Sequence, residues 1–309
     1  MKNLLKTFTP NLNYYKMKNK KSLIKNLIFI LTFLGTISFS QNKAYAQESP
    51  ECPDPSTTTI TSIADGGDAT SFYALTGGGF CKGTPDEYGV TVYKMGFCTK
   101  NPANPTLSSV LAGSAPDYSS CSWTYENSTG EAASFSAGGS IDLSETYASE
   151  PASGTYPYAV MLISKDFNIK GKFGPVGGKT YYSTSTFQVS STDSDDYATQ
   201  VAPLNTFGGD SECVAYTEGE AVTDGTISAY LVNSSGILLD NDSSLSECSG
   251  QEKLLGVMKM SSDLTISDAT AGLKMTFTVT NNGMSVVTNR AGTDIYVDSG
   301  PFSVKFETF

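Results

Sequence analysis

Apolar and polar positions alternate most clearly near the C-terminus of the chain. Across Leu273 to Thr280 every second residue is apolar, and the residues between them are lysine or threonine. An Asn-Gly pair at 282–283 separates this run from a second one, Met284 to Thr288. Because Asn-Gly favours the type I′ turn of a hairpin, the pattern predicts two paired strands in which Val279 faces Val286.

Seven further runs have the composition of strands and are bounded by Gly, Pro, Asn or Asp. They lie at Tyr88 to Phe97, Tyr158 to Ser164, Thr180 to Ser190, Thr226 to Asn233, Leu254 to Met260, Thr293 to Asp298 and Phe302 to Phe306.

Two of these runs are apolar on both faces. In Tyr88 to Phe97, strict alternation places Tyr88, Val90 and Val92 on one side and Tyr93, Met95 and Phe97 on the other; Tyr158 to Ser164 contains five consecutive apolar residues. Such strands belong in the middle of a sandwich or between layers. We therefore predict an all-β, disulfide-bonded antiparallel β-sandwich of jelly-roll or immunoglobulin-like type, built as one domain or as two packed β domains.

The polar stretch 191–203 is a candidate linker. It would separate an N-terminal β region at 47–190, which follows a secretory segment at 1–46 and holds four cysteines, from a C-terminal β region at 204–309, which holds two.

The secretory segment has the layout of a bacterial-type signal peptide. A basic stretch begins at Lys18, an apolar run extends from Leu27 to Phe39, and Ala44-Tyr45-Ala46 precedes the expected cleavage point. That apolar run is shorter than the roughly 20 residues that a membrane-spanning helix needs, which favours cleavage and no stable membrane span afterwards. Because Met1-Lys2-Asn3 recurs from Met17, translation could start at either methionine.

Export changes the charge of the chain. The first 46 residues hold eight of the 20 lysines and arginines and none of the 31 acids, so the mature chain would carry a net charge of −19. So acidic a chain is repelled by phosphate backbones and anionic membranes, and nucleic acid is not an expected partner. The expected destination is the cell surface or the medium, with the periplasm also open.

All six cysteines follow the expected cleavage point. They are Cys52, Cys81, Cys98, Cys121, Cys213 and Cys248. An even number in an exported chain predicts three disulfides, and proximity pairs Cys213 with Cys248. The other four cysteines leave their pairing open.

Two acidic clusters are calcium candidates, because carboxylates on loops are the ligands that calcium prefers. The first contains Asp193, Asp195 and Asp196, and the second contains Asp240 and Asp242. Neither has the glycine and glutamate spacing of an EF-hand, so a solvated acidic loop is the competing interpretation. No other cofactor is expected.

Trp123 is the only tryptophan, and it lies two residues from Cys121. A tryptophan packed on a disulfide is a common core element of sandwiches, whereas an exposed one could stack on a sugar. The 17 tyrosines suit either a β surface or a glycan-binding face.

The chain contains no histidine, which excludes Ser-His-Asp sites and imidazole-based zinc sites. We expect no catalytic residues, and a non-enzymatic structural or adhesive surface protein, a filament or matrix subunit that assembles with itself or with other surface proteins. The segment Gln47 to Thr59 is a candidate donor strand for that assembly. The alternatives are a soluble extracellular carbohydrate-binding module and, on the strength of the terminal Phe309, an outer-membrane β-barrel.

Overall fold

The apolar runs form antiparallel strands around one central sheet. The computed structural model describes residues 80–136, 146, 148–176, 179–186, 189–190, 197–208, 212–222, 224–270, 273–279, 283–288, 295–300 and 302–308. The candidate secretory segment, Cys52 and the candidate donor strand lie outside these residues. The strands, in chain order, are β1 (Phe80–Gly83), β2 (Glu87–Cys98), β3 (Cys121–Ser136), β4 (Gly154–Ser164), β5 (Asp166–Lys170), β6 (Lys172–Val176), β7 (Lys179–Ser183), β8 (Val189–Ser190), β9 (Gln200–Pro203), β10 (Tyr216–Val222), β11 (Gly225–Asn233), β12 (Gln251–Ile266), β13 (Leu273–Thr278), β14 (Met284–Thr288), β15 (Ile295–Ser299) and β16 (Ser303–Thr308).

The central sheet has the strand order β10-β11-β12-β4-β2-β5-β9, and β3 also pairs with β2. One edge of β2 pairs with β3. Its other edge pairs first with β5, at residues 87–89, and then with β4, at residues 92–98. Because only Lys165 separates β4 from β5, the two strands follow one another along β2.

Both faces of the central sheet are covered, as the double-sided runs predicted. Successive side chains of β4 alternate between the faces: Ala159, Met161 and Ile163 enter one core, and Val160 and Leu162 enter the other. The first-face core also contains residues of the C-terminal strands: Val279, Met284, Val286 and Val297, with Phe302 and Phe306 packed against them. The second-face core is closed by the segment 99–120, from which Ala103, Val110, Leu111 and Tyr118 contribute. The prediction of an all-β, antiparallel, disulfide-bonded fold is confirmed.

The predicted Asn-Gly hairpin is wrong. Strand β13 pairs with β16, whereas β14 pairs with β1 and β15, so that Val286 lies opposite Cys81 and Val297. A type I′ turn needs a positive φ at both central residues, and Gly283 does not adopt one. Gly283 is instead a point of close approach, since a Cβ there would lie 2.3 Å from the buried Val279 side chain.

Other strand predictions change in extent. The run Thr180 to Ser190 is not one strand: β7 and β8 pair with each other, with Tyr182 opposite Ser190, and the Thr184 hydroxyl accepts the Thr186 N–H in the turn between them. The run predicted at Leu254 to Met260 is the middle of the longer β12.

Strands from both sides of the candidate linker pair in the same sheet. Strand β12, from the region 204–309, pairs with β4, from the region 47–190. Residues 200–203 of the candidate linker form β9, which pairs with β5.

Within the described residues, two disulfides each close a loop. Cys98 and Cys121 lie directly opposite each other on β2 and β3 and are bonded. Cys213 is bonded to Cys248, which confirms the pairing predicted from proximity. Three disulfides were predicted; these two leave Cys52 and Cys81, and the third bond stays a prediction because Cys52 lies outside the described residues.

The two disulfide-closed loops also bind each other. The Gly113 N–H donates to the Leu238 carbonyl, and the Leu238 N–H donates to the Ser114 carbonyl, both at 2.9 Å. Beside them, Asn101 donates to the Tyr230 hydroxyl at 3.1 Å, and that hydroxyl donates to the Glu218 carboxylate at 2.7 Å. Side-chain and main-chain bonds therefore lock loop 98–121 to loop 213–248.

Polar groups also join the first-face layers near the end of β15. The Tyr88 hydroxyl donates to the Gly300 carbonyl, and the buried Gln200 amide donates to the Val297 carbonyl. Burial raises the pKa of the neighbouring Asp298 carboxyl, and the Ser299 backbone N–H that it accepts opposes this only in part. An ionised Asp298 is therefore disfavoured in the folded chain.

We expect Asp298→Asn to raise the melting temperature at pH 7, because the neutral amide avoids desolvating a charge. Since the folded-state pKa is the higher one, the stability that protonated Asp298 contributes is present below its unfolded pKa of about 3.9 and is lost as the pH rises through the folded-state value. The gain in melting temperature should therefore shrink on acidification. The exposed Asp263→Asn is the control in a pH series of thermal melts. Equal effects of the two variants at every pH would contradict the prediction.

Candidate binding surface

Trp123 lies on β3 at the rim of the second-face core. Its side chain is half-buried and packs against that core, with the Tyr118 ring edge-on at a centroid distance of 5.1 Å. The neighbouring β2 carries Gly96 opposite it, and a Cβ there would lie 3.0 Å from the indole ring and 2.4 Å from the Ser122 carbonyl oxygen. Because Gly96 has no side chain, it leaves the space that the indole ring occupies.

A bulge in β2 brings more polar and aromatic groups to the same rim. The register with β4 shifts between Val92 and Lys94, which leaves Tyr93 as the extra residue of β2. Tyr93 packs against the second-face core, and Lys94 lies opposite Leu162, which belongs to that core. Both side chains therefore lie on one face.

Because of the bulge, the predicted assignment of β2 side chains to the two sheet faces is wrong beyond Tyr93. Met95 and Phe97 were expected on the side of Tyr93, but they pack with Tyr88 in the first-face core. The extra residue reverses the alternation beyond it, which no period-two pattern can show.

Two half-buried rings at this rim, Trp123 and Tyr93, each have a lysine ammonium over them. Lys94 Nζ lies 5.1 Å from the Trp123 ring centroid, and Lys253 Nζ, from β12, lies 4.1 Å from that of Tyr93. Both distances are within the range of cation–π attraction. We call the set Tyr118, Trp123, Lys94, Tyr93 and Lys253 the aromatic–lysine row.

The two lysines differ in their ionic partners. Lys94 forms a salt bridge of 2.6 Å with Glu126. Among the described residues, Lys253 has no carboxylate within 4.0 Å. Burial raises the pKa of the Tyr118 hydroxyl to about 12, so this phenol stays neutral and can donate a hydrogen bond at physiological pH.

In a second aromatic cluster, at the start of β2, the charged groups pair with one another. Lys170 lies over the Tyr197 ring and 3.5 Å from Glu87, and Lys172 lies 3.7 Å from Asp86. Tyr197 donates its hydroxyl to Asp86. Every charge in this cluster has an opposite partner, unlike Lys253 in the aromatic–lysine row.

The calcium candidates Asp240 and Asp242 line a pocket of about 320 Å³ beside the Cys213–Cys248 disulfide. Asp240 accepts the Asn241 N–H, and Asp242 accepts both the N–H and the hydroxyl of Ser244. The hydrogen bond from the Ser244 hydroxyl is the main cause that lowers the pKa of the Asp242 carboxyl, and the bond from the Ser244 N–H adds to it. In the described part of the chain no three Asp, Glu, His or Cys residues are grouped so that they could hold a metal ion. Asp193, Asp195 and Asp196 lie outside that part.

The sequence pointed to Trp123 but not to its neighbours. The indole is neither fully buried nor an open platform, because one side packs on the core while Lys94 lies over the ring. Lys94 and Lys253 are more than 150 positions apart and meet the rings only through the bulge and the β4–β12 pairing. The one local signal was an aromatic residue next to a lysine at 93–94.

Comparisons with known proteins identify no relative. A scan against protein-family models, a search of curated proteins and a search of solved structures each find nothing that matches this chain. The described residues include no helix with the length and hydrophobicity to cross a membrane. The disulfides indicate an oxidising environment, extracellular or periplasmic.

Proposed function

We propose that the chain is an exported, non-enzymatic structural or adhesive protein of the cell surface, and that it serves as a filament or matrix subunit. The observation that carries this proposal is the pair of disulfide-closed loops locked together over a sheet whose two faces are both covered. Such cross-linking suits a protein that must persist in an oxidising environment outside the cytoplasm.

The two edge strands of the central sheet, β10 and β9, affect how subunits could pair with each other. At one end, β10 has a bulge, a positive-φ Gly219 and the exposed Glu218 and Glu220, all of which hinder pairing with another strand. At the other end, β9 is short, and its Val201 side chain is 53% exposed. Uncontrolled edge pairing at β10 is thus disfavoured, which favours addition of a defined strand such as the candidate donor segment.

Electron microscopy of the secreted fraction tests the proposal. We expect filaments or sheets from the intact chain, and their loss on deleting Gln47 to Thr59, because subunit addition would lack its donor strand. The deletion removes Cys52, so it is combined with Cys81→Ser, and intact protein carrying Cys52→Ser and Cys81→Ser is the matched control. Monomers alone in the intact protein would contradict assembly, and unchanged filaments in the deletion variant would contradict the donor strand.

A soluble carbohydrate-binding module is the second candidate. The aromatic–lysine row favours it, since half-exposed rings beside charged hydrogen-bonding groups are the usual components of a saccharide site. Binding on a glycan array by protein that stays monomeric would support this candidate over the first.

A further inference from the structure

We propose that the aromatic–lysine row binds short saccharides that carry a carboxylate, such as oligouronides. The proposal rests on the second candidate function, carbohydrate binding, and names the ligand class of that surface. Neither core packing nor strand pairing requires the position of Lys253. Its ammonium contacts a ring at the surface and has no ionic partner among the described residues.

The positions of the ammonium groups decide between neutral and acidic sugars. A neutral sugar binds a ring by laying its C–H face on the ring face. Here Lys94 and Lys253 lie over the Trp123 and Tyr93 rings, so a neutral sugar would have to displace a cation from each. A carboxylate instead attracts the ammonium, while the sugar ring contacts the exposed ring edges.

The Glu126 carboxylate would compete with a ligand carboxylate for the Lys94 ammonium. It holds Lys94 at 2.6 Å, with side-chain exposures of 37% for the lysine and 49% for the glutamate. An exposed pair of this kind contributes little to stability, so a ligand carboxylate can exchange with it. Lys253 needs no such exchange and is the primary anion contact.

The net charge of the mature chain limits the length of the ligand. With −19 on the mature chain, most of the surface repels a long polyanion. Salt reduces that repulsion beyond about 8 Å at physiological ionic strength, whereas contacts within the row are closer than that. A trisaccharide is therefore a better ligand than a polymer.

Trp123 makes the test specific to the site, because it is the only tryptophan of the chain. Intrinsic fluorescence is titrated with trigalacturonate, with neutral galactotriose as the comparison, at low and high salt. We expect a change in fluorescence with trigalacturonate alone, and weaker binding at high salt.

Two substitutions should act in opposite directions. Lys253→Gln keeps most of the stem but removes the charge, and it should weaken trigalacturonate binding about fivefold. Glu126→Gln removes the competing carboxylate and should strengthen binding about two- to fivefold. Lys259→Gln is the matched control, because Lys259 is an exposed lysine of the same strand for which no cation–π contact is described. Thermal melts confirm that each variant is folded.

The outcomes separate this proposal from the broader function. Equal binding of both trisaccharides, unchanged by Lys253→Gln, would overturn the acidic-sugar proposal and leave a carbohydrate-binding module standing. Failure of both to bind, together with filaments in the electron microscope, would overturn it and leave the structural function standing. A Lys259→Gln effect equal to that of Lys253→Gln would show general charge attraction and would also overturn it.

Discussion

Removing the described disulfides is expected to produce the largest loss of stability. Cys98→Ala with Cys121→Ala, and Cys213→Ala with Cys248→Ala, should each lower the free energy of unfolding by about 3–4 kcal/mol. The sequence separations are 23 and 35 residues, and in the chain-entropy model the longer loop gains slightly more from closure. Urea denaturation at equilibrium measures both losses.

The combined variant tests whether the two loops act together. Because the Gly113–Leu238 and Leu238–Ser114 bonds join them, the loss in the four-alanine variant should differ from the sum of the two losses by at least about 0.5 kcal/mol. Peptide mapping without reduction checks that the intended bond is absent in each variant. Losses below about 1 kcal/mol per pair would show that the remaining contacts hold the loops in place.

Gly96→Ala is expected to have the second largest effect, with a loss of about 3 kcal/mol in the free energy of unfolding. A Cβ at this position would lie 2.4 Å from the Ser122 carbonyl oxygen and 2.9 Å from Trp123 Cα. Both are backbone atoms of a paired strand, so neither can move without breaking the ladder between β2 and β3. The substitution should also shift the fluorescence of Trp123, whose ring lies 3.0 Å from the same position.

Gly256→Ala is the matched control for that substitution. Gly256 also lies in the interior of a central strand, but a Cβ there would meet only the Met161 carbonyl oxygen at 3.8 Å, which is ordinary contact. Because glycine in a strand is entropically unfavourable, this substitution should be neutral or should stabilise by up to about 1 kcal/mol. Chemical denaturation of both variants decides the matter, and equal losses would contradict the role assigned to Gly96.

Much of the strand content could be predicted because it depends on local periodicity. The unbroken apolar run in β4 indicated a strand covered on both faces, and the structure divides its side chains between the two cores. Pairing of Cys213 with Cys248 followed from proximity alone. Pairing of Cys98 with Cys121 did not, since it depends on β2 and β3 being neighbours in register.

The errors arise where long-range pairing overrides a local signal. The Asn-Gly pair at 282–283 favours a hairpin in isolation, but β14 gains two partners by pairing with β1 and β15. The aromatic–lysine row was missed for a related reason. A one-residue bulge at Tyr93 decides which face Lys94 occupies, and a single sequence has no mark for a bulge that contains no glycine.

The closed loops also limit how far the chain can be stretched. A protein that tethers a cell is pulled from its ends, and residues inside a covalent loop cannot extend even after the strands separate. With separations of 23 and 35 residues, the two bridges withhold about 200 Å of contour length from an extending force. Under load the intact chain would therefore extend less than the reduced chain, and a reducing environment would allow considerably greater extension.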